Sequence, residues 1–315
     1  MDLCVMIKGV SFFIQTSLGI FGNSIILISY ANMLSRGPKL MPVDIVLSHL
    51  AFVNMMVLLT RGIPQTMSVF EIEHILNDTG CKIVVYSYRI VRGLSVSVTC
   101  LLSVLQAVII APVKRWTIVK IKEVKYLSLS LVAIWVINMA VCIAAPFFSK
   151  VPGTGKISKF TLNLGFCHVL FPDQVSYIIN GFAVSFRDFT FVGVMVYSSG
   201  YIIRILYRHR RQVQNIRRST SAQNATAETK AAKDVLRLVL LYVIFFGLDN
   251  IIWINMLTVS DVPSVVTDLR VFFSSCYASF SPIFIIRSNK RIQKALKCSF
   301  KRQQTSQPEV YVCHI

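Results

Sequence analysis

From Gly9 to Ser35 the chain runs without a charged residue, and comparably long apolar stretches recur six more times before its end. A hydrocarbon layer about 30 Å thick needs about 20 mostly apolar helical residues, because only backbone that satisfies its own hydrogen bonds survives there. The spans fall at about 9–30, 43–66, 83–111, 126–148, 176–203, 236–258 and 269–286. They predict an all-α membrane protein, a seven-transmembrane helix bundle over 1–286 with a tail over 287–315. Composition agrees: 15% of the residues are charged, against about 25% in soluble domains. The net charge of +19 would point to nucleic acid in a polar chain. Here the cations cluster between apolar runs, as in cytoplasmic loops, so no nucleic-acid partner is expected. The first run is too long for the apolar part of a signal peptide and is read as retained.

Lys and Arg set the orientation. One set of loops holds Arg36 and Lys39, then Lys114 to Lys125, then the run from Arg204 to Arg237, and the tail adds Arg287 to Arg302. The other set has Lys8, Arg61, Lys150, Lys156 and Lys159 among Glu71, Glu73, Asp78, Asp173 and Asp261. The N-terminus is therefore expected outside, the C-terminus inside, and the protein in the plasma membrane as a multi-pass chain. Asn77-Asp78-Thr79 is a glycosylation sequon on the outer side; Asn224-Ala225-Thr226 falls in a basic inner loop and is expected bare. Cys81 opens the third span and Cys167 lies in the outer loop before the fifth, so this pair is the expected disulfide, tying a lid to the third helix. Cys100, Cys142 and Cys276 lie at membrane depth and read as small apolar residues. No metal-ligand spacing appears, and neither metal nor cofactor is expected. In the tail, Ile292, Ala295, Leu296 and Phe300 alternate with cations at helical spacing. This predicts a short amphipathic C-terminal helix on anionic inner-leaflet lipid, with Cys298 a palmitoylation candidate.

Several strings carry a resemblance. LSHLAFVN (Leu47 to Asn54), TCLLSVLQAVIIAP (Thr99 to Pro112), RDFTFVGVMVYSSGYIIRILYRHRRQVQNI (Arg187 to Ile216) and SSCYASFSPIF (Ser274 to Phe284) resemble vomeronasal type-1 pheromone receptors and the related fish olfactory receptors. That resemblance covers nearly the whole chain and implies a G-protein-coupled chemosensory receptor, without catalytic activity, partnered by a heterotrimeric G protein. Leu105-Gln106-Ala107 stands where rhodopsin-like receptors carry Asp-Arg-Tyr, and Ser281-Pro282 replaces Asn-Pro; the same family shows similar substitutions. The seventh span has no Lys for a retinal Schiff base. Asn163-Leu164-Gly165 is not a sequon, although the family has one in that loop. Pro282 marks an expected flexion point.

Charge at membrane depth costs about 2.5–3.5 kcal/mol per residue, so it is kept for function or paired. Arg89 and Arg92 share a helical face, with Tyr88 four residues before Arg92 and stacked beside it. Arg187, Asp188, Asp249 and Arg270 lie in comparable outer halves. Arg187 and Asp188 fit either a structural ion pair or a ligand contact. Four guanidiniums against two carboxylates leave a positive excess that a ligand's carboxylate would relieve. The expected ligand is a small organic acid, an odorant or pheromone, with Tyr86, Tyr88 and Phe182 as aromatic partners. The rival reading is a transporter or channel using the same charges as a path; an odd helix count and the family strings weigh against it.

Overall fold

The computed structural model describes residues 3–35, 37, 40–70, 72, 76–111, 124–151, 161–215, 222–258 and 264–296. Among these, seven helices are long and apolar enough to cross a membrane. The first is Leu3–Ser35, the third Asp78–Ile110, the fifth Gln174–Asn215, the sixth Ala222–Thr258 and the seventh Ser264–Ser288. The second, Pro42–Val57, widens into a π-helical turn at Leu58–Gly62 and resumes as Ile63–Val69. The fourth, Val124–Val141, is followed by a turn and the short helix Ala145–Phe148. The fifth has 42 residues, about 63 Å at 1.5 Å per residue, so it projects well beyond the hydrocarbon layer. Pro282 lies inside an unbroken seventh helix; at Gly22 of the first helix, an added Cβ would meet its ring at 2.7 Å.

The third helix is the axis. In its spanning window 72% of residues are buried, against 17% for the fourth, because it packs against most other spans. Its middle is tied to its neighbours by uncharged groups. Ser95 Oγ donates to Asn54 Oδ1 at 2.7 Å, and Asn54 Nδ2 donates to Ser281 Oγ at 2.9 Å. Thr99 and Tyr277 share a hydrogen bond of 2.8 Å, and Ser103 meets Ser199 at 3.2 Å. Asn23 Nδ2 donates to the carbonyls of Gly19 and Ala278. Each such bond contributes about 0.6 kcal/mol between membrane helices, enough together to fix the rotation of the first, second, third and seventh spans.

At the inner end, Asp44 collects four donors. Its oxygens accept from Met41 N, Tyr30 Oη, Asn289 Nδ2 and Arg291 Nη1, the last at 2.9 Å. The sequence predicts a short amphipathic helix in the tail, and a helix is present there. Residues 290–296 form a helix whose Ile292 is fully buried in the main apolar cluster with Tyr30, Val46 and Leu47. Arg291 is taken by Asp44, and Lys290 and Lys294 stay exposed. The tail is therefore docked to the bundle through a buried side chain and an ion pair. Cys298, Phe300 and the rest of the tail lie outside the described residues, as do Arg36, Lys39, Glu71, Glu73, Asp261 and the basic stretch from Lys114 to Lys122.

The outer loop folds as a three-stranded antiparallel sheet: Ser149–Lys150, Thr161–Asn163 and His168–Leu170, with the last strand central. Leu164 N donates to Cys167 O across the turn, and Gly165 takes φ +86°, a conformation that favours glycine. Cys167 is disulfide-bonded to Cys81 with 5.9 Å between Cα atoms. Around it Val85, Ala145, Phe166, Val169 and Phe171 form a buried cluster. Severing that link with Cys81→Ser is expected to lower surface expression and ligand response at least several-fold, measured by cell-surface labelling and dose response. Normal behaviour would contradict the lid's dependence on the bridge.

Candidate functional site

The charged residues of the outer half come together on four spans. Arg92 Nη2 of the third helix donates to Asp249 Oδ2 of the sixth at 2.8 Å, and its Nη1 reaches Asp188 Oδ2 of the fifth at 3.4 Å. Arg187 Nη2 holds the other oxygen of Asp188 at 2.8 Å, and Arg270 Nε of the seventh reaches Asp249 Oδ1 at 3.3 Å. The result is one chain, Arg187–Asp188–Arg92–Asp249–Arg270, in which two carboxylates serve three guanidiniums. Desolvated charges hold only with such partners. Arg89, the remaining arginine predicted here, donates to the amide oxygen Asn180 Oδ1 at 2.8 Å.

Arg187 is the most enclosed member. Its Nη1 donates to Cys142 Sγ at 3.3 Å, so Cys142 accepts a hydrogen bond as well as filling space. The guanidinium passes over Gly93: a Cβ there would lie 2.5 Å from Arg187 Nη1 and collide with Asn138 Oδ1. Gly93 is thus needed for close approach. Cys276 likewise accepts from Gln15 Nε2 at 3.2 Å, while Cys100 sits in the main apolar cluster.

The structure places the aromatic residues more closely than the sequence could. Tyr88 remains within electrostatic reach of Arg92, and its ring lies under Arg61, with the guanidinium carbon 5.4 Å from the ring centre. Arg61, read from sequence as an outer-loop cation, is 4% exposed and sits within the π-helical turn of the second span. The reason is geometric: the extra residue in that turn re-aims the side chain inward. Phe182 is 69% exposed on the fifth helix and stacks on Phe186, facing away from the charges. Tyr86 turns to the fourth helix, its hydroxyl donating to Met139 O.

The aromatic residues that do meet the ion chain come from the sixth and seventh helices. Tyr242, Phe245, Phe246, Phe273 and Tyr277 line a cavity with Val57, Arg92 and Asp249. Its volume of about 30 Å³ is room for one or two waters, so this conformation is closed to an aromatic acid. Periodicity hid these rings because lipid-facing and cavity-facing aromatics look alike along an apolar helix.

His168 stands in the central strand of the sheet, where burial pushes the imidazole below its usual pKa. Asn77, the sequon residue, is exposed and caps the third helix, its Oδ1 accepting from Gly80 N at 2.7 Å. No cluster of metal-ligating side chains occurs among the described residues.

Comparison with known proteins gives a consistent answer. The model of the vomeronasal organ pheromone receptor family matches residues 6–298. The chain is 56% identical to olfactory receptor class A-like protein 1 of Danio rerio, over 96% of each chain. It is 34% identical to vomeronasal type-1 receptor 1 of Gorilla gorilla gorilla, over 91% of this chain and 81% of that one. The crystal structure of squid rhodopsin superposes with a TM-score of 0.75 at 16% identity, over 97% of this chain and 83% of that one, which shows the fold.

Asp249 is the shared acceptor for two spans, so Asp249→Asn leaves two guanidiniums short of a counter-charge. The expected loss is about 3 kcal/mol, read as a lower melting temperature of the purified receptor, with part of it recovered by adding Arg92→Gln. An Asp249→Asn receptor as stable as Asp268→Asn, which disturbs only the rim pair with Lys8, would contradict this role.

Proposed function

Because the chain belongs to the vomeronasal organ pheromone receptor family, a family of receptors and not of enzymes, we propose that it is a chemosensory G-protein-coupled receptor whose ligand is a small organic acid. One observation carries the ligand class. Among the described residues, four buried or half-buried arginines at membrane depth, Arg89, Arg92, Arg187 and Arg270, cluster with the carboxylates of Asp188 and Asp249. An incoming carboxylate adds the missing charge and accepts a bidentate pair of hydrogen bonds from a guanidinium.

The same geometry supports a way for binding to favour one helix arrangement over another. The Arg92–Asp249 pair ties the third helix to the sixth at the cavity wall. A ligand carboxylate on Arg92 takes the place of Asp249, releases the sixth helix at its outer end, and seats its apolar body among Tyr242, Phe246 and Phe273. Movement of the sixth helix changes the inner face, where Arg208 and Arg211 are exposed on the projecting fifth helix. That face is the surface offered to a heterotrimeric G protein. Asn180, already bonded to Arg89, helps hold the second arginine for the same anion.

The discriminating experiment is a matched series on cells expressing the receptor: aromatic acids, their methyl esters and the corresponding amines. The acids are expected to be at least tenfold more potent than their esters, and Arg92→Gln to erase that preference. Esters or amines equal to the acids, or an Arg92→Gln receptor with unchanged responses to every acid, would overturn the ligand class.

A further inference from the structure

Arg61 is the charge in the outer half that the ion chain does not explain. Its side chain is nearly fully buried, yet no carboxylate lies within ion-pair distance among the described residues. It sits between two rings, with its guanidinium carbon 5.4 Å from the centre of Tyr88 and 5.3 Å from that of Phe166. Its Nη1 makes a long hydrogen bond to Leu164 O at 3.4 Å, and Nε is buried without a partner. Four residues further along the same helix, Gln65 Oε1 is also buried without a partner, and the Gln65 side chain packs under Gly165 of the lid. A membrane protein does not keep such a group idle: a desolvated guanidinium with an unused N–H is costly.

Arg61 does not itself line the cavity, but its electrostatic surroundings are those of the cavity's charges. Arg61 lies within electrostatic reach of Arg92, Arg270 and Asp249, and Val57, four residues before it, lines the cavity itself. Phe166 adjoins Cys167, so the upper ring of the sandwich is held by the lid's disulfide. The π-helical turn that turns Arg61 inward is a local departure from α-helical packing of the kind that recurs at functional sites.

We propose that Arg61, against the outer loop and near the cavity's charges, is a second anion-recognition post, which selects ligands carrying two acidic groups over ligands carrying one. The first acid group engages Arg92 as above, and the second accepts from Arg61 Nε while the two rings hold the guanidinium plane. The inference rests on the acid-ligand reading of the cavity and adds to it a specificity-determining residue.

The test uses the purified full-length receptor in lipid nanodiscs and a panel of dicarboxylates, aliphatic and aromatic, with spacers from short to long. Each is compared with its half methyl ester, which has nearly the same shape and one charge fewer. Binding is read as ligand-dependent thermal stabilisation. At least one diacid is expected to bind about tenfold or more tightly than its half ester, the factor a hydrogen bond between charged partners supplies. Arg61→Gln is expected to bring that ratio close to one by weakening the diacid far more than the half ester, and Arg61→Lys to retain part of it. Diacids no better than half esters across the panel in the unmodified receptor overturn the role of Arg61 and leave the acid reading standing, and this comparison needs no variant to fold. A ratio that persists in Arg61→Gln also overturns it. If neither diacids nor half esters bind, the acid reading and the present inference fall together.

Discussion

Two carboxylates, Asp188 and Asp249, are shared among three guanidiniums inside a layer where an unpaired charge is costly. That sharing determines where the third, fifth, sixth and seventh helices meet. Neither aspartate can leave its position without exposing an arginine, and Arg187 can reach its partner only because Gly93 leaves the third helix open beneath it. The outer half is therefore held by a structure that is strong in aggregate and electrically incomplete, with Arg89 on an amide and Arg61 between two rings. The proposed acid ligand is read from this arrangement among the described residues.

Below that level the chemistry changes. The middle of the bundle is joined by hydroxyls and amides, in the Asn54–Ser281–Ser95 and Thr99–Tyr277 contacts, which bring no charge into the bilayer and are individually weak. At the inner end charge returns at Asp44, where the first helix, the second helix and the tail converge. Near its inner end the third helix carries Leu105, Gln106 and Ala107, so no arginine at those positions can form a lock with the sixth. Among the described residues, an inner ion pair between elements joins the second helix to the tail. At this face Ala107, Ile202 and Ala232 bring the third, fifth and sixth helices into apolar contact.

What the sequence disclosed and what it concealed have separate physical causes. The spans, their orientation and the Cys81–Cys167 bridge were legible because the bilayer imposes a minimum apolar length and the inner face gathers cations, both properties of composition along the chain. The gathering of Arg92, Arg187, Asp188, Asp249 and Arg270 was legible for the same reason: charge at that depth has nowhere else to go. Which partner each would take was not. Tyr88 lies under Arg61 because a single extra residue in the second helix rotates everything beyond Leu58, and no periodicity in Leu58–Gly62 announces a π-helical turn. Phe182 and Phe246 are equally apolar, yet one faces lipid and the other the cavity. The tail helix was legible because its cations are periodic; that Ile292 enters the core beside the Arg291–Asp44 pair was not.

The central claim is that the excess of guanidinium over carboxylate is made up by the ionised form of an acid. The most direct measurement is the potency of two acids of different acidity, and the same skeleton, as external pH is varied across their titration ranges. The account predicts that dose-response curves collapse onto one line when plotted against the concentration of the anion. Collapse against the concentration of the neutral acid would contradict it.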